Sequence, residues 1–190
     1  QANELLADSD LDQQQRLSQM IAKQALRIDC IIQDTLNMVR NKETYPTQLQ
    51  LNQFIPQFLQ EDLADVAQQI NYNIQDKMAI TFDEAQLRQI LINLLRNAIR
   101  HNAPAHAKIE LNIYAHESNV RIDVRDFGSG VASQDLAYLF QPFFSTEITG
   151  TGLGLYLSRS FCEANQAELS YVEQKQGACF RIECPHVALN

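Results

Sequence analysis

The chain has little glycine, and what it has is concentrated. There are six glycines in 190 residues, and five of them fall in two short clusters, Asp126-Phe127-Gly128-Ser129-Gly130 and Gly150-Thr151-Gly152-Leu153-Gly154-Leu155. The chain also lacks any run of Lys or Arg, and its net charge is −8. That argues against a nucleic-acid or anionic-membrane surface. No apolar stretch approaches the ~20 residues of a membrane span, and no signal peptide is recognisable. The four cysteines, Cys30, Cys162, Cys179 and Cys184, form no CxxC pair and no zinc spacing. They read as reduced, mostly buried thiols of a cytosolic protein, not as a disulfide or metal framework. The chain opens on Gln1 instead of Met, which leads us to expect a piece of something larger.

What is present is ordinary globular composition, 45% hydrophobic and 20% charged residues, in a length that suits one domain plus an appendage. Within it the two glycine clusters stand out. Glycine has no Cβ, so a backbone can pass close to a ligand there or take positive φ. Two such loops, the second running into an apolar helical segment, point to a phosphate-bearing ligand held by backbone N–H groups. The acidic balance of the chain requires that such a site be local.

Residues 11–42 read as one long helix. Leu17, Ile21, Gln24, Ile28, Ile31, Thr35 and Met38 follow alternating spacings of four and three, and neither Gly nor Pro interrupts the span. A lone helix of this length needs something against its apolar face. Residues 1–43 are therefore expected to form most of a helical hairpin, half of a dimeric four-helix bundle. The stretch from Asn41 to Pro46 marks a boundary. Beyond it, residues 44–190 alternate strand and helix patterns. Leu49 and Leu51 alternate, Phe54, Ile55, Phe58, Leu59 and Leu63 have helical spacing, and Met78, Ile80 and Phe82 alternate again. Ile109 to Ile113 and Val120 to Val124 form a hairpin pattern around His116-Glu117-Ser118-Asn119, and Leu169, Tyr171 and Cys179–Cys184 give a last pair. Strands paired mostly as hairpins, with three helices apolar on one side, predict an α/β two-layer sandwich instead of a doubly wound sheet.

The helix predicted from Glu84 to about His101 carries the first chemistry. Asp83 is a good N-cap and Gln86 occupies the N3 position of a capping box. Leu87, Ile90, Leu91, Leu94, Leu95 and Ala98 form its buried stripe. Asn93 and Asn97 lie at the edge of that stripe, with Arg100 beside them and His101 on its margin. Asparagine is a poor residue in mid-helix. The plainer reading of the pair is a polar rim, but amide oxygens also suit Mg²⁺, which bridges phosphate oxygens, and an arginine one turn on can meet the same phosphates. Asp126 offers a carboxylate able to accept from an exocyclic amine, although an isolated Asp-x-Gly-x-Gly is commonly a simple turn.

Taken in order, Asn93-x-x-x-Asn97-Ala98, Asp126-x-Gly128-x-Gly130, Phe140-x-Pro142-Phe143-Phe144 and Gly150-Thr151-Gly152-Leu153-Gly154-Leu155 resemble the N, G1, F and G2 boxes of sensor histidine kinases. These belong to the GHKL ATPases and share the Bergerat ATP-binding fold; the resemblance covers about residues 45–185. It implies that Asn97 coordinates Mg²⁺, that Asn93 supports the phosphate site, and that Arg100 contacts phosphate. It places His101 where an aromatic often packs on adenine, and makes Asp126 the acceptor for the adenine amino group, helped by Gly128 and Gly130. Residues 143–150 resemble the ATP lid, with Phe140, Phe143 and Phe144 at its base. Thr151, Gly152, Leu153 and Gly154 then bring backbone amides to the phosphates.

Two departures bear on the reaction. ATP-hydrolysing relatives carry a glutamate one turn before the magnesium asparagine, and this chain has Asn93 there. Without that base, water attack is expected to be slow and the γ-phosphoryl can wait for a protein acceptor. Glu147 stands where many relatives have a lid lysine. The resemblance also puts the phospho-accepting histidine upstream of Gln1; His101, His106, His116 and His186 all lie in the ATP-binding region. The run from Gly154 to Ala167, with Gly177-Ala178-Cys179-Phe180, is most similar to the PilS-like group of kinases governing type IV pilus expression. That implies a bacterial inner-membrane parent, a homodimer and an NtrC- or PilR-like response regulator, with no nucleic-acid partner and membrane contact only through upstream segments. The alternatives are an anti-sigma-type serine kinase on the same nucleotide fold, or a non-catalytic dimerisation module.

Overall fold

The computed structural model describes residues 17, 18, 20, 21, 24, 25, 28, 43–75, 77–103, 108–146 and 150–186. The described residues between 17 and 28 are helical, and Leu17, Met20, Ile21 and Ile28 are exposed there. The rest of the expected hairpin, with Cys30, lies outside the described residues, which resume at Glu43 and Thr44 on either side of the expected domain boundary.

Beyond that stretch the described residues hold three α-helices and seven strands. A short ribbon pairs β1 (Thr47–Gln50) antiparallel with β3 (Ala79–Phe82), Leu49 opposite Ile80. The main sheet runs β2 (Ile70–Ile74), β4 (Ile109–His116), β5 (Asn119–Arg125), β7 (Cys179–Pro185), β6 (Glu168–Val172). The helices are α1 (Leu51–Asp62), α2 (Glu84–His101) and α3 (Gly154–Ala164).

Period-two patterning accounts for the sheet. Leu111 pairs with Val124 and Ile113 with Ile122, Ile182 joins Ile122 and Leu169 joins Ile182, so these apolar side chains share one face. The helices supply the second layer. Phe58 of α1, Leu94 of α2 and Phe161 of α3 belong to the same core cluster as the inward strand residues. On the other side of the sheet, Arg181 makes a two-pronged pair with Asp123, Nε to Oδ1 at 2.8 Å and Nη2 to Oδ2 at 2.7 Å. Asp123 and Arg181 are directly paired across β5 and β7, so the pair stabilises that register. Cys162, Cys179 and Cys184 are free and buried. Burial pushes the Cys179 and Cys184 thiols up to about 12, in keeping with inert core thiols.

The two-layer architecture and the β4–β5 and β6–β7 hairpins match expectation. Three details differ. Leu51 is the first residue of α1, not a strand residue; its backbone N–H still bonds to Met78 O at 2.9 Å, so the chain turns helical directly off the ribbon. The sheet is mixed: β2 pairs parallel with β4. Only Ile70 of β2 is buried and Tyr72 is exposed, so this edge strand has almost no apolar alternation to read. Lastly, Asp83 does cap α2, accepting from Gln86 N at 3.1 Å, but Gln86 does not return the bond. Asp83 N donates instead to Asn165 Oδ1, and Asn165 Nδ2 donates to Gln86 Oε1. A residue at the end of α3 completes the box.

Candidate active site

Helix α2 presents one long edge to a cavity of about 970 Å³, which is closed on the far side by the loops around Gly130 and Gly150–Gly154. At 1.5 Å per residue, Asn93 and His101 stand roughly 12 Å apart along it. The cavity wall includes Asn93, Asn97, Arg100, His101, Asp126 and Gly130, together with Thr151, Gly152 and Gly154. Nine residues singled out by sequence thus share one concavity, although they are drawn from three separate segments.

At one end lies Asp126, only 4% exposed. Its Oδ1 accepts from Gly128 N at 2.8 Å and from Ala178 N at 3.2 Å. Its backbone N–H donates to Ala178 O at 3.0 Å. No described residue donates to Oδ2. Asp126 lines the cavity, and a carboxylate oxygen there without a protein donor can accept from a ligand donor such as an exocyclic amine. The strap that holds Asp126 comes from the β6–β7 turn. Gly177 has φ of 78°, and a Cβ there would lie 1.9 Å from Asp126 O, so no other residue fits. Gln176 Nε2 adds a bond to Phe127 O at 3.2 Å.

At the other end stand the asparagines. Asn93 Nδ2 donates to Ser158 Oγ at 3.0 Å, and Asn97 Nδ2 donates to Asn93 Oδ1 at 3.3 Å. Asn97 Oδ1 accepts from no described residue, so it is a hard oxygen donor available to a divalent cation. The first residue of α3 packs against this pair: a Cβ on Gly154 would stand 2.2 Å from Asn93 Oδ1. Thr151 Oγ1 accepts from Leu153 N at 3.3 Å, shaping the turn into α3.

Three predicted ligand residues do not line the cavity. Gly128 donates its N–H to Asp126 Oδ1 but is not part of the cavity wall. Leu153 is fully buried in the core and its carbonyl accepts from Leu157 N at 2.9 Å, which anchors α3. Phe143 is 73% exposed with φ of 65°. Its side chain does not pack the lid base as expected. That place is taken by Phe144, which reaches the cavity and meets Tyr138 at a ring distance of 5.7 Å, and by Phe140, edge-on to Phe180 at 6.4 Å. Glu147 lies outside the described residues. Sequence reasoning gave no role to the strap residues Gln176 and Gly177 or to Ser158. A lone glycine in a hairpin turn and a serine in a helix carry no signal of the side chains they meet.

The family model described as Histidine kinase-, DNA gyrase B-, and HSP90-like ATPase matches residues 82–188, from the end of β3 through β7. The chain belongs to this ATPase family. The sensor protein kinase PilS of Pseudomonas aeruginosa is 37% identical over 195 residues, covering 97% of this chain and 37% of that protein. Sensor histidine kinase ZraS of Escherichia coli is 29% identical over 175 residues, covering 90% of this chain and 37% of ZraS. The chain thus spans little more than a third of either curated relative. Among solved structures, full-length ShkA in complex with AMPPNP aligns with a TM-score of 0.71 at 26% identity, over 84% of this chain and 36% of ShkA. The catalytic domain of histidine kinase ThkA aligns with a TM-score of 0.65 at 25% identity, over 75% of this chain and 96% of that domain.

Proposed function

We propose that this chain is the Mg-ATP-binding part of a two-component sensor histidine kinase of the PilS-like group. One observation carries the reading. Asp126, with a carboxylate oxygen that no described residue donates to, and Asn97, with an amide oxygen likewise without a described donor, occupy opposite ends of a single cavity. A nucleotide supplies what each lacks, an exocyclic amine for the first and a phosphate-bound cation for the second.

In this reading Asp126 Oδ2 accepts from the adenine amine, and His101 flanks the base. Asn97 holds Mg²⁺, with Asn93 behind it. Arg100 contacts phosphate, and Thr151, Gly152 and Gly154 form the wall on the phosphate side. When bound, Mg²⁺ neutralises charge on the transferring phosphoryl group. Asn93 has no carboxylate with which to activate water, so the γ-phosphoryl is preserved for a protein acceptor. The acceptor is a histidine on a helix preceding the ATP-binding domain of residues 44–190. From there the phosphoryl group passes to an aspartate of an NtrC- or PilR-like response regulator, and the output is type IV pilus gene expression. The 37% identity with PilS and the exposed apolar side chains at Leu17, Ile21 and Ile28 support a dimeric parent carried on the inner membrane by other segments. Among the described residues no helix is long and apolar enough to cross a membrane.

The test uses the longer parent. An intact version whose ATP site is inactivated is mixed with this chain, heterodimers are confirmed, and labelled ATP is added. Label is expected on the parent's acceptor histidine. Unlabelled histidine in confirmed heterodimers would count against the kinase assignment, and failure of the chain to bind Mg-ATP would remove the nucleotide reading altogether.

A further inference from the structure

Ser158 stands in the second turn of α3 and is 2% exposed. Its hydroxyl oxygen takes the donor end of the Asn93 amide at 3.0 Å. The acceptor end of Asn93 is then taken by Asn97 Nδ2 at 3.3 Å. A carboxamide has one donor end and one acceptor end; here the Ser158 hydroxyl accepts, and the two amides line up behind it. With its nitrogen turned toward Asn93, the atom that Asn97 has left is Oδ1. Gly154 closes the arrangement, since the close approach of its backbone leaves the Asn93 amide no room for a Cβ at that position.

We infer that Ser158 is a positioning residue for the cation: acting through Asn93, it aims Asn97 Oδ1 into the cavity. This rests on the Mg-ATP reading of the site. An amide rotated by half a turn offers a cation its NH₂ group instead of its oxygen, and Mg²⁺ tolerates little departure from octahedral oxygen geometry. Without the hydroxyl, Asn93 Nδ2 loses its partner, and the chain of bonds that holds the two amides in place loses its fixed end on α3. Ser158 belongs to the same helix that begins at Gly154, so the aim of the cation ligand and the glycine wall beside it are set by one rigid element.

The experiment is calorimetric titration of ATP into the purified chain, with Mg²⁺ or with EDTA, for wild type, Ser158→Ala and Ser158→Thr. Thermal melts restrict the comparison to folded protein. Wild type is expected to bind more tightly with Mg²⁺. Ser158→Ala is expected to lose about 2- to 12-fold in affinity with Mg²⁺, the range for one hydrogen bond, and to keep its affinity in EDTA. Ser158→Thr, which retains a hydroxyl, is expected to keep the wild-type ratio. A ratio that is unchanged in Ser158→Ala, or lost equally in both variants, overturns the inference. Should the alanine variant not fold, Ser158→Cys puts a weak acceptor in the same place and must lose the Mg²⁺-dependent part. A wild-type chain that binds ATP equally with and without Mg²⁺ overturns the cation reading itself.

Discussion

Asp83 and Asn165 are 82 positions apart in sequence, yet the backbone N–H of Asp83 donates to Asn165 Oδ1 at 2.8 Å, joining the start of α2 to the end of α3. The two residues form a hub. Asn165 Nδ2 also reaches Gln86 Oε1 at 2.7 Å and Phe161 O at 2.8 Å, while Asp83 Oδ2 accepts from Tyr45 N at 2.9 Å. Both helices that carry site residues are thus tied at the ends farthest along the chain from Asn97 and Gly154. Asn165→Ala leaves the Asp83 N–H and the Gln86 carbonyl buried without partners. It is expected to cost about 2–4 kcal/mol, read as a lowered urea midpoint with an unchanged slope. A midpoint equal to wild type would show that the hub contributes nothing.

Asp126→Asn replaces the acceptor at Oδ2 with an amide that can present a donor instead. Hydrogen bonds to charged groups contribute roughly 1.5–3 kcal/mol, so ATP affinity is expected to fall about 10- to 150-fold. Titration of folded mutant protein checks this, and undiminished affinity would exclude Asp126 from the site.

Gly177→Ala drives a Cβ into Asp126 O and forces an L-residue to a φ of 78°. The backbone term alone costs about 1–2 kcal/mol. The consequence goes beyond stability, because the strap orients the Asp126 carboxylate. We expect a lower melting temperature and, in protein still folded, a narrowed preference for ATP over inosine triphosphate, which lacks the exocyclic amine. Full retention of that preference would reduce Gly177 to a turn former.

Glu183 provides a pH dependence. Asn119 Nδ2 and Arg121 Nε each donate to its carboxylate at 2.7 Å. The Asn119 bond first, then the Arg121 bond, hold its carboxyl below the usual 4.5. A depressed carboxylate stabilises the fold above its unfolded-state value, and that contribution is lost as pH falls through the lower folded value. Denaturation midpoints are therefore expected to drop as pH is lowered below about 4.5, and to drop less in Glu183→Gln. Parallel pH profiles for the two proteins would contradict the assignment.

How far the sequence could be read follows from which physical signal each feature leaves. The stripe of α2 was legible to the residue because Leu87, Ile90, Leu91, Leu94, Leu95 and Ala98 repeat at helical spacing and must be buried together. The β4–β5 hairpin was legible because its alternation is unbroken on both sides of a two-residue turn. The asparagines, Asp126 and the glycines were legible as a set because polar residues at a core rim and clustered glycines are both locally anomalous. β2 left no such signal. At the edge of the sheet, with Tyr72 exposed, it has one buried side chain and depends on its partner strand. The Phe140–Phe144 segment misled in one position. Aromatic spacing does not reveal which ring a positive φ turns outward, and at Phe143 it is that ring which faces solvent.

The sequence by itself therefore determined every element but the edge strand β2, together with the order of the site segments and the kind of ligand their chemistry suits, since each depends on neighbours within a turn of helix or two strand positions. Tertiary structure alone decided who completes each polar group: Asn165 for the cap at Asp83, Ala178 for Asp126, Ser158 for Asn93. Those partners lie tens of residues away, and a hydrogen-bonding group satisfies any correctly placed complement. No periodicity along the chain announces the choice; it is made only when the layers pack and buried donors and acceptors must meet.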